Sequence, residues 1–327
     1  MPIKINDHLS AICQLQEEGI FTMTEQRATT QRIRPLKVCV LNLMPLKKPT
    51  EIQLLRLLGN SPLQIEVDFC RTVSRETTHT DNSYLDRAYL EFADVKDRYY
   101  DAFLMTGAPV ETIPFEAVDY WAEYHCYSTM TLCWGAQAAL YHYYGVNKTI
   151  LPTKMFGIFP YGLTVKNHPL LRGFDDRYFI PQSRHTAVDD DAIDACKALQ
   201  VLSRSVEHGI NICATKDLRR IFVLGHFEYD RYTLANEYFR DKKKNLPIDL
   251  PEFYFPDGDT TQEPVFKWRS YAHLFYMNWL NIVYQDTPYD LHELAPASGN
   301  KLDKALGEYN KILLQLQRMG AAIPANQ

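Results

Sequence analysis

No stretch of this chain holds the ~18 successive apolar residues that a membrane-spanning helix needs. It has no glycine fingerprint GxGxxG after a strand and no Walker loop, which argues against a Rossmann dinucleotide site and P-loop chemistry. The ten histidines show no HxxxH spacing with a carboxylate, so no metal is expected. Positive charge is not in surplus either. Lys and Arg number 35 against 40 Asp and Glu, a net charge of −5. That balance gives no reason to expect a nucleic acid or an anionic membrane as partner. The short run Lys242-Lys243-Lys244 reads as a solvated helix end. The seven cysteines are odd in number and contain no CxxC pair. Cys39, Cys70 and Cys213 sit inside apolar runs, the usage of a reduced protein rather than a disulfide framework or zinc site. Residues 1–7 lack the apolar core of a signal peptide, so the cytoplasm is the expected compartment. No internal repeat or low-complexity tract is visible.

What is present suits a globular α/β protein. The 327 residues, 46% apolar and 23% charged, are enough for one large domain with extensions or two small ones. Residues 37–44 form a nearly unbroken apolar run, as in a parallel strand covered on both faces. A turn at 46–49 follows. Thr50-Glu51-Ile52-Gln53 reads as a capping box opening a helix over 51–58. Residues 63–70 alternate with period two, as in a strand near a sheet edge, and 84–92 are helix-compatible. Residues 101–109 form a strand that runs into a glycine turn. Residues 128–133 are a further strand, and the helix after it stops at Gly145. This alternation predicts right-handed crossovers and a doubly wound, mostly parallel sheet. Strand-like pieces surround 156–159 and 177–180. Three more follow at 200–205, 210–214 and 220–224, with helices at 233–242, 270–284 and 301–319. The organisation read from this is an N-terminal arm (1–35), a single α/β domain (36–296) and an amphipathic helical tail (297–327). The 21 tyrosines suit a well-packed core and a subunit interface, and a homodimer is the expected assembly.

Cys133 stands where a strand gives way to a helix. Such a junction exposes the side chain above the C-terminal edge of the sheet, and the first N–H groups of the helix favour a thiolate and an oxyanion beside it. A lone cysteine is more often inert core, so a partner is required. His226 also follows a late apolar strand, at the edge where ligands bind in doubly wound sheets, and Glu228 lies two residues on. A nucleophile followed by His-x-Glu is one order of a Cys–His–Glu triad. At this level the chain could be a hydrolase, an amidotransferase or a protein whose cysteine is inert core, such as a binding protein that keeps the fold.

A resemblance narrows the choice. The segments 33–38 and 41–45, Glu51-x-Gln53-x-Leu55-Arg56 and 60–64 resemble the homoserine O-acyltransferases, or homoserine transsuccinylases. So do Thr106-Gly107-Ala108-Pro109, Cys133-Trp134-Gly135-Ala136-Gln137, Gly225-His226-Phe227-Glu228-Tyr229-Asp230 and 287–291. The resemblance runs from Met1 to about residue 296 and implies a fold of class-I glutamine-amidotransferase type. It also implies ping-pong transfer from an acyl-CoA to an amino-acid hydroxyl, with no bound cofactor and small-molecule substrates only. Cys133 would carry the acyl group, His226 would move the protons and Glu228 would orient it. The oxyanion would rest on backbone at Trp134 and Gly107. Lys154, Ser183, Arg184, Glu237 and Arg240 match substrate-binding positions, and Lys47 matches one near the site. Glu111 matches a position that helps select the donor, where glycine leaves room for succinyl. A carboxylate there would repel succinyl, so acetyl-CoA is the expected co-substrate. The chain is shorter than the family pattern between Tyr120 and Cys133. L-Serine is therefore a rival to L-homoserine as acceptor, since one methylene is worth only ~1–3 kcal/mol of discrimination. Succinyl-CoA as donor and a glutamine amidotransferase-like hydrolase are the remaining alternatives.

Overall fold

A computed structural model describes residues 3–5, 9–17, 22–23, 34–72, 80–115 and 125–294. The helix expected at 301–319 and the start of the shortened segment, 121–124, lie outside the described residues. The strands are β1 (Ile3–Ile5), β2 (Thr22–Met23), β3 (Leu36–Leu41), β4 (Ile65–Arg71), β5 (Leu90–Glu91) and β6 (Tyr99–Met105). They continue with β7 (His125–Leu132), β8 (Lys148–Leu163), β9 (Arg177–Val188), β10 (Leu199–Ser205), β11 (Gly209–Thr215) and β12 (Arg220–Val223). The α-helices are α1 (Ala11–Glu17), α2 (Lys47–Leu58), α3 (Asn82–Ala88), α4 (Phe92–Val95), α5 (Trp134–Tyr144), α6 (Asp190–Ala195), α7 (Thr233–Lys243) and α8 (Arg269–Asp286).

Among the described residues the strands form one sheet in the order β2-β1-β4-β3-β6-β7-β12-β11-β10-β8-β9, with β5 beside β4. From β2 to β12 neighbours run parallel; from β12 to β9 they run antiparallel. The doubly wound parallel core is therefore one half of a mixed α/β sheet. Leu36–Leu41 is buried at every position but Lys37, as a strand covered on both faces must be. On one face Leu54, Leu55, Leu58, Phe275, Trp279 and Val283 of α2 and α8 pack against Val38, Val67, Leu104 and Leu132. On the other, Ala136 and Leu140 of α5 pack against Cys213 and Phe222. Each large side chain buried this way contributes about 1.5–3 kcal/mol.

Three local expectations are corrected and one is extended. Strand β4 lies between β3 and β1, not at an edge, because Ile3–Ile5 of the N-terminal segment adds itself outside it. The helix expected from Glu51 begins at Lys47, so the 46–49 turn is its first turn, where Pro49 is tolerated. Thr50 does not cap it; its Oγ1 donates to Leu46 O at 3.0 Å, while the buried Glu51 carboxylate accepts from the hydroxyls of Tyr84 and Tyr89, each at 2.7 Å. The stretch 84–92 is split, with α3 ending at Ala88 before β5 and α4. The strand pieces near 156 and 177 are parts of one long hairpin, β8 with β9, that carries Lys154 and Ser183.

Candidate active site

Strand β7 and helix α5 meet at Cys133, whose φ of 49° and ψ of −118° put a non-glycine residue in a strained turn. The turn is held by the Cys133 N–H donating to Val223 O of β12 at 2.7 Å, and by Ala136 and Gln137 donating back to Cys133 O at 3.0 and 3.1 Å. Gly135 lets α5 approach this closely: a Cβ there would lie 2.6 Å from Thr106 O. The thiol is buried, at 3% exposure, and the N–H of Trp134 opens the helix next to it.

His226 follows β12, the strand paired parallel with β7, so both side chains leave the same end of adjacent strands. The His226 N–H donates to Pro181 O of β9 at 3.0 Å. Its Nδ1 lies 2.6 Å from Glu228 Oε1, and its Nε2, which makes no hydrogen bond within normal limits, is the ring nitrogen left to serve the sulfur. Burial would lower the imidazole pKa, but the adjacent Cys133 and Glu228 outweigh it and hold it well above the usual value. Gly107, in the loop after β6, completes the group: a Cβ on it would lie 3.3 Å from Cys133 Cβ, 3.8 Å from Sγ and 3.7 Å from His226 Cε1. Having no side chain, it leaves that space beside the sulfur open.

A second cluster centres on Glu237 of α7. Its carboxylate is 2.5 Å from Lys154 Nζ of β8, accepts from Ser183 Oγ of β9 at 2.9 Å and lies 3.9 Å from Arg240. Arg240 also forks onto Asp241. Glu111 accepts from the backbone N–H of His185 of β9. Tyr229 links the two clusters. Its ring stacks on His226, and burial, followed by the charges of Glu237, Cys133, Glu228 and Glu111, pushes its hydroxyl pKa well up.

One expected residue, Arg184, is not brought to these clusters. It is 1% exposed and its guanidinium donates to Gln182 Oε1, Thr186 O and His208 O. Alternation along β9 turns it to the face opposite Ser183. Lys47 donates from Nζ to Asn42 O at 2.5 Å; burial lowers its pKa to about 8, with Glu51 pulling it back up. A cavity of about 690 Å³ lies on the Glu228 side of the 227–232 loop, bordered by Gln53, Arg56, Arg231 and His273. Among the described residues no three His, Cys, Asp or Glu side chains come together as metal ligands, and no helix is long and apolar enough to cross a membrane. Tyr229 lies within the 225–230 motif, where no sequence pattern marks it; only its stacking on His226 distinguishes it.

A family model described as homoserine O-succinyltransferase matches residues 2–289. The chain is 50% identical over 304 residues to a homoserine O-acetyltransferase of Thermotoga neapolitana, covering 90% of this chain and all of that one. It is 48% identical over 300 residues to a homoserine O-acetyltransferase of Agathobacter rectalis, covering 89% and 97% of the two chains. Among solved structures, a glutamine amidotransferase from Thermotoga maritima matches 77% of this chain and 98% of its own, at 12% identity and a TM-score of 0.44.

Proposed function

The chain belongs to the homoserine O-succinyltransferase family of acyltransferases, and from that premise we propose that it is a homoserine O-acetyltransferase that carries acetyl from acetyl-CoA on Cys133. The observation that carries this reading is the convergence of Cys133 and His226 on the open space at Gly107, with Glu228 2.6 Å behind the imidazole.

His226 Nε2 takes the Cys133 proton. The thiolate adds to the acetyl carbonyl carbon, and the oxyanion is met by backbone N–H groups at Trp134 and Gly107. As the tetrahedral species collapses, the C–S bond to coenzyme A breaks and its sulfur leaves with the proton held by His226. The acceptor hydroxyl then gives its proton to Nε2, its oxygen attacks the acetyl-cysteine, and Cys133 leaves as a thiolate beside the imidazolium. Glu228 orients the ring throughout and balances its charge. Glu237 is suited to the acceptor's ammonium, and Arg240 with Lys154 to its carboxylate.

The family description names succinyl, whereas the two relatives are named for acetyl. Glu111 supports acetyl here. Held by the His185 N–H, its carboxylate belongs to the charge group around Tyr229, where a succinyl carboxylate would be repelled.

Incubation with acetyl-CoA alone, followed by intact-protein and peptide mass analysis, tests the reading. One acetyl group on Cys133, discharged by L-homoserine to the O-acetyl ester, is the expected result. Active protein that never acquires the acetyl group would overturn the covalent route. A kcat/KM matrix of acetyl-CoA and succinyl-CoA against homoserine and serine ranks the donors and acceptors.

A further inference from the structure

His226 is gripped on three sides. Glu228 holds Nδ1, Gly107 faces Cε1, and the flat face of the imidazole lies against the ring of Tyr229. The two ring centroids are 4.0 Å apart and the planes are within 14° of parallel. This contact is itself anchored. The Tyr229 carbonyl accepts from the indole Nε1 of Trp268, at 2.8 Å, and Trp268 is fully buried in the cluster of Phe156, Leu234, Tyr238 and Tyr254. The phenol ring, 7% exposed, therefore has little freedom to swing away.

An aromatic face is negative, and a cation within ~6 Å of its centroid is attracted to it. In the proposed cycle His226 alternates between a neutral ring and a cation. The neutral ring gains only dispersion from the stack, whereas the imidazolium gains the quadrupole as well. We propose that Tyr229 is a positioning residue for the triad: its ring face selectively stabilises the His226 imidazolium and so favours the thiolate form of Cys133. The groups that face this assembly are Cys133 from the β7–α5 turn, Glu228 on its own loop, Glu237 and Arg240 from α7, and Glu111 from the loop after β6. Cys133 and Glu228 already favour a cation at His226, while Glu237 and Glu111 bear on the phenol end of Tyr229. The ring adds to that preference between two buried side chains, 2% and 7% exposed, where such a contact is strongest.

The inference rests on the Cys133–His226–Glu228 reading, and the test separates the two. The rate of Cys133 alkylation by iodoacetamide is followed from pH 5 to 9 in the full-length protein. His226→Ala comes first: an unchanged profile would remove the triad itself. Tyr229→Leu should then move the profile to higher pH and slow alkylation at pH 6 about five-fold, and Tyr229→Phe, which keeps the ring, should restore it. Because Leu alters packing, the decisive series replaces Tyr229 by phenylalanine and by its mono-, di- and trifluoro forms, which keep the shape and progressively weaken the quadrupole. Alkylation at pH 6 should fall stepwise along that series, with unchanged thermal unfolding. A profile that responds to His226→Ala but is flat across the fluorinated series would overturn the role of Tyr229 and leave the triad standing.

Discussion

Ser183 and Arg184 are consecutive on β9 and serve opposite faces of it: the Ser183 hydroxyl donates to Glu237 at 2.9 Å, while the Arg184 guanidinium is sealed among Gln182, Thr186 and His208. The two arginines of the expected substrate site should therefore part under mutation. Arg184→Met strands three acceptors and removes a buried cation, and should cost on the order of 3 kcal/mol of stability without a selective rise in homoserine KM. Arg240→Ala, at a half-exposed position, should raise that KM about ten-fold or more with an unchanged unfolding midpoint. Urea unfolding and steady-state kinetics on both variants check the contrast.

Glu228→Gln keeps the size of the side chain and removes the charge beside Nδ1, 2.6 Å away. The imidazolium loses its counter-charge and the ring its fixed tautomer. A fall in kcat of about 10²–10⁴ is expected, with acetylation of Cys133 slowed in rapid-quench experiments. Full-rate acetylation would remove Glu228 from the triad.

Gly135→Ala sets two effects against each other. Alanine in a helix gains up to ~1 kcal/mol over glycine. The added Cβ, however, would meet the Thr106 carbonyl at 2.6 Å, and no rotamer change relieves contact with backbone. Overpacking of about 1–3 kcal/mol wins. A lower Tm and a loss of activity should appear together, because α5 carries the Cys133 turn.

Lys47 gives a signed pH dependence. Its folded pKa of about 8 lies below the ordinary 10.5, so the folded protein releases the proton first. Between those two values the unfolded chain binds more protons, and stability from this group rises with pH; below about 8 a constant burial penalty remains. The stability of the wild type minus that of Lys47→Met should rise by on the order of 1–3 kcal/mol across the window. Urea unfolding at the two ends measures it, and a flat difference would rule it out.

Glu111→Gly removes the carboxylate bound to the His185 N–H. Succinyl-CoA kcat/KM should rise about ten-fold or more relative to acetyl-CoA. An unchanged donor ratio would show that Glu111 does not select the acyl group.

Period and punctuation in the sequence were enough to place Cys133 and His226 at the ends of strands, because buried strands and a glycine-bounded helix are local patterns. That β7 and β12 are neighbours, which brings the two side chains together, is a matter of sheet order. The β8–β9 hairpin was legible only in pieces, since Pro152, Gly157 and Pro160 interrupt the run that cross-strand pairing makes continuous. The Thr50–Gln53 pattern suggested a cap, but the tyrosines on the following elements claim Glu51 for the interior.

The sequence by itself determined the chemistry available: a cysteine on a tight turn, a His-x-Glu, and, through the family resemblance, the charged side chains proposed to hold the acceptor. The tertiary structure decided which of those charges gather around Glu237. Alternation states that Ser183 and Arg184 point apart, but not which side of β9 is covered by α7 and which by the buried polar layer. It also decided that Tyr229 lies flat on His226, since the Trp268 anchor that fixes that ring comes from 39 residues further along the chain.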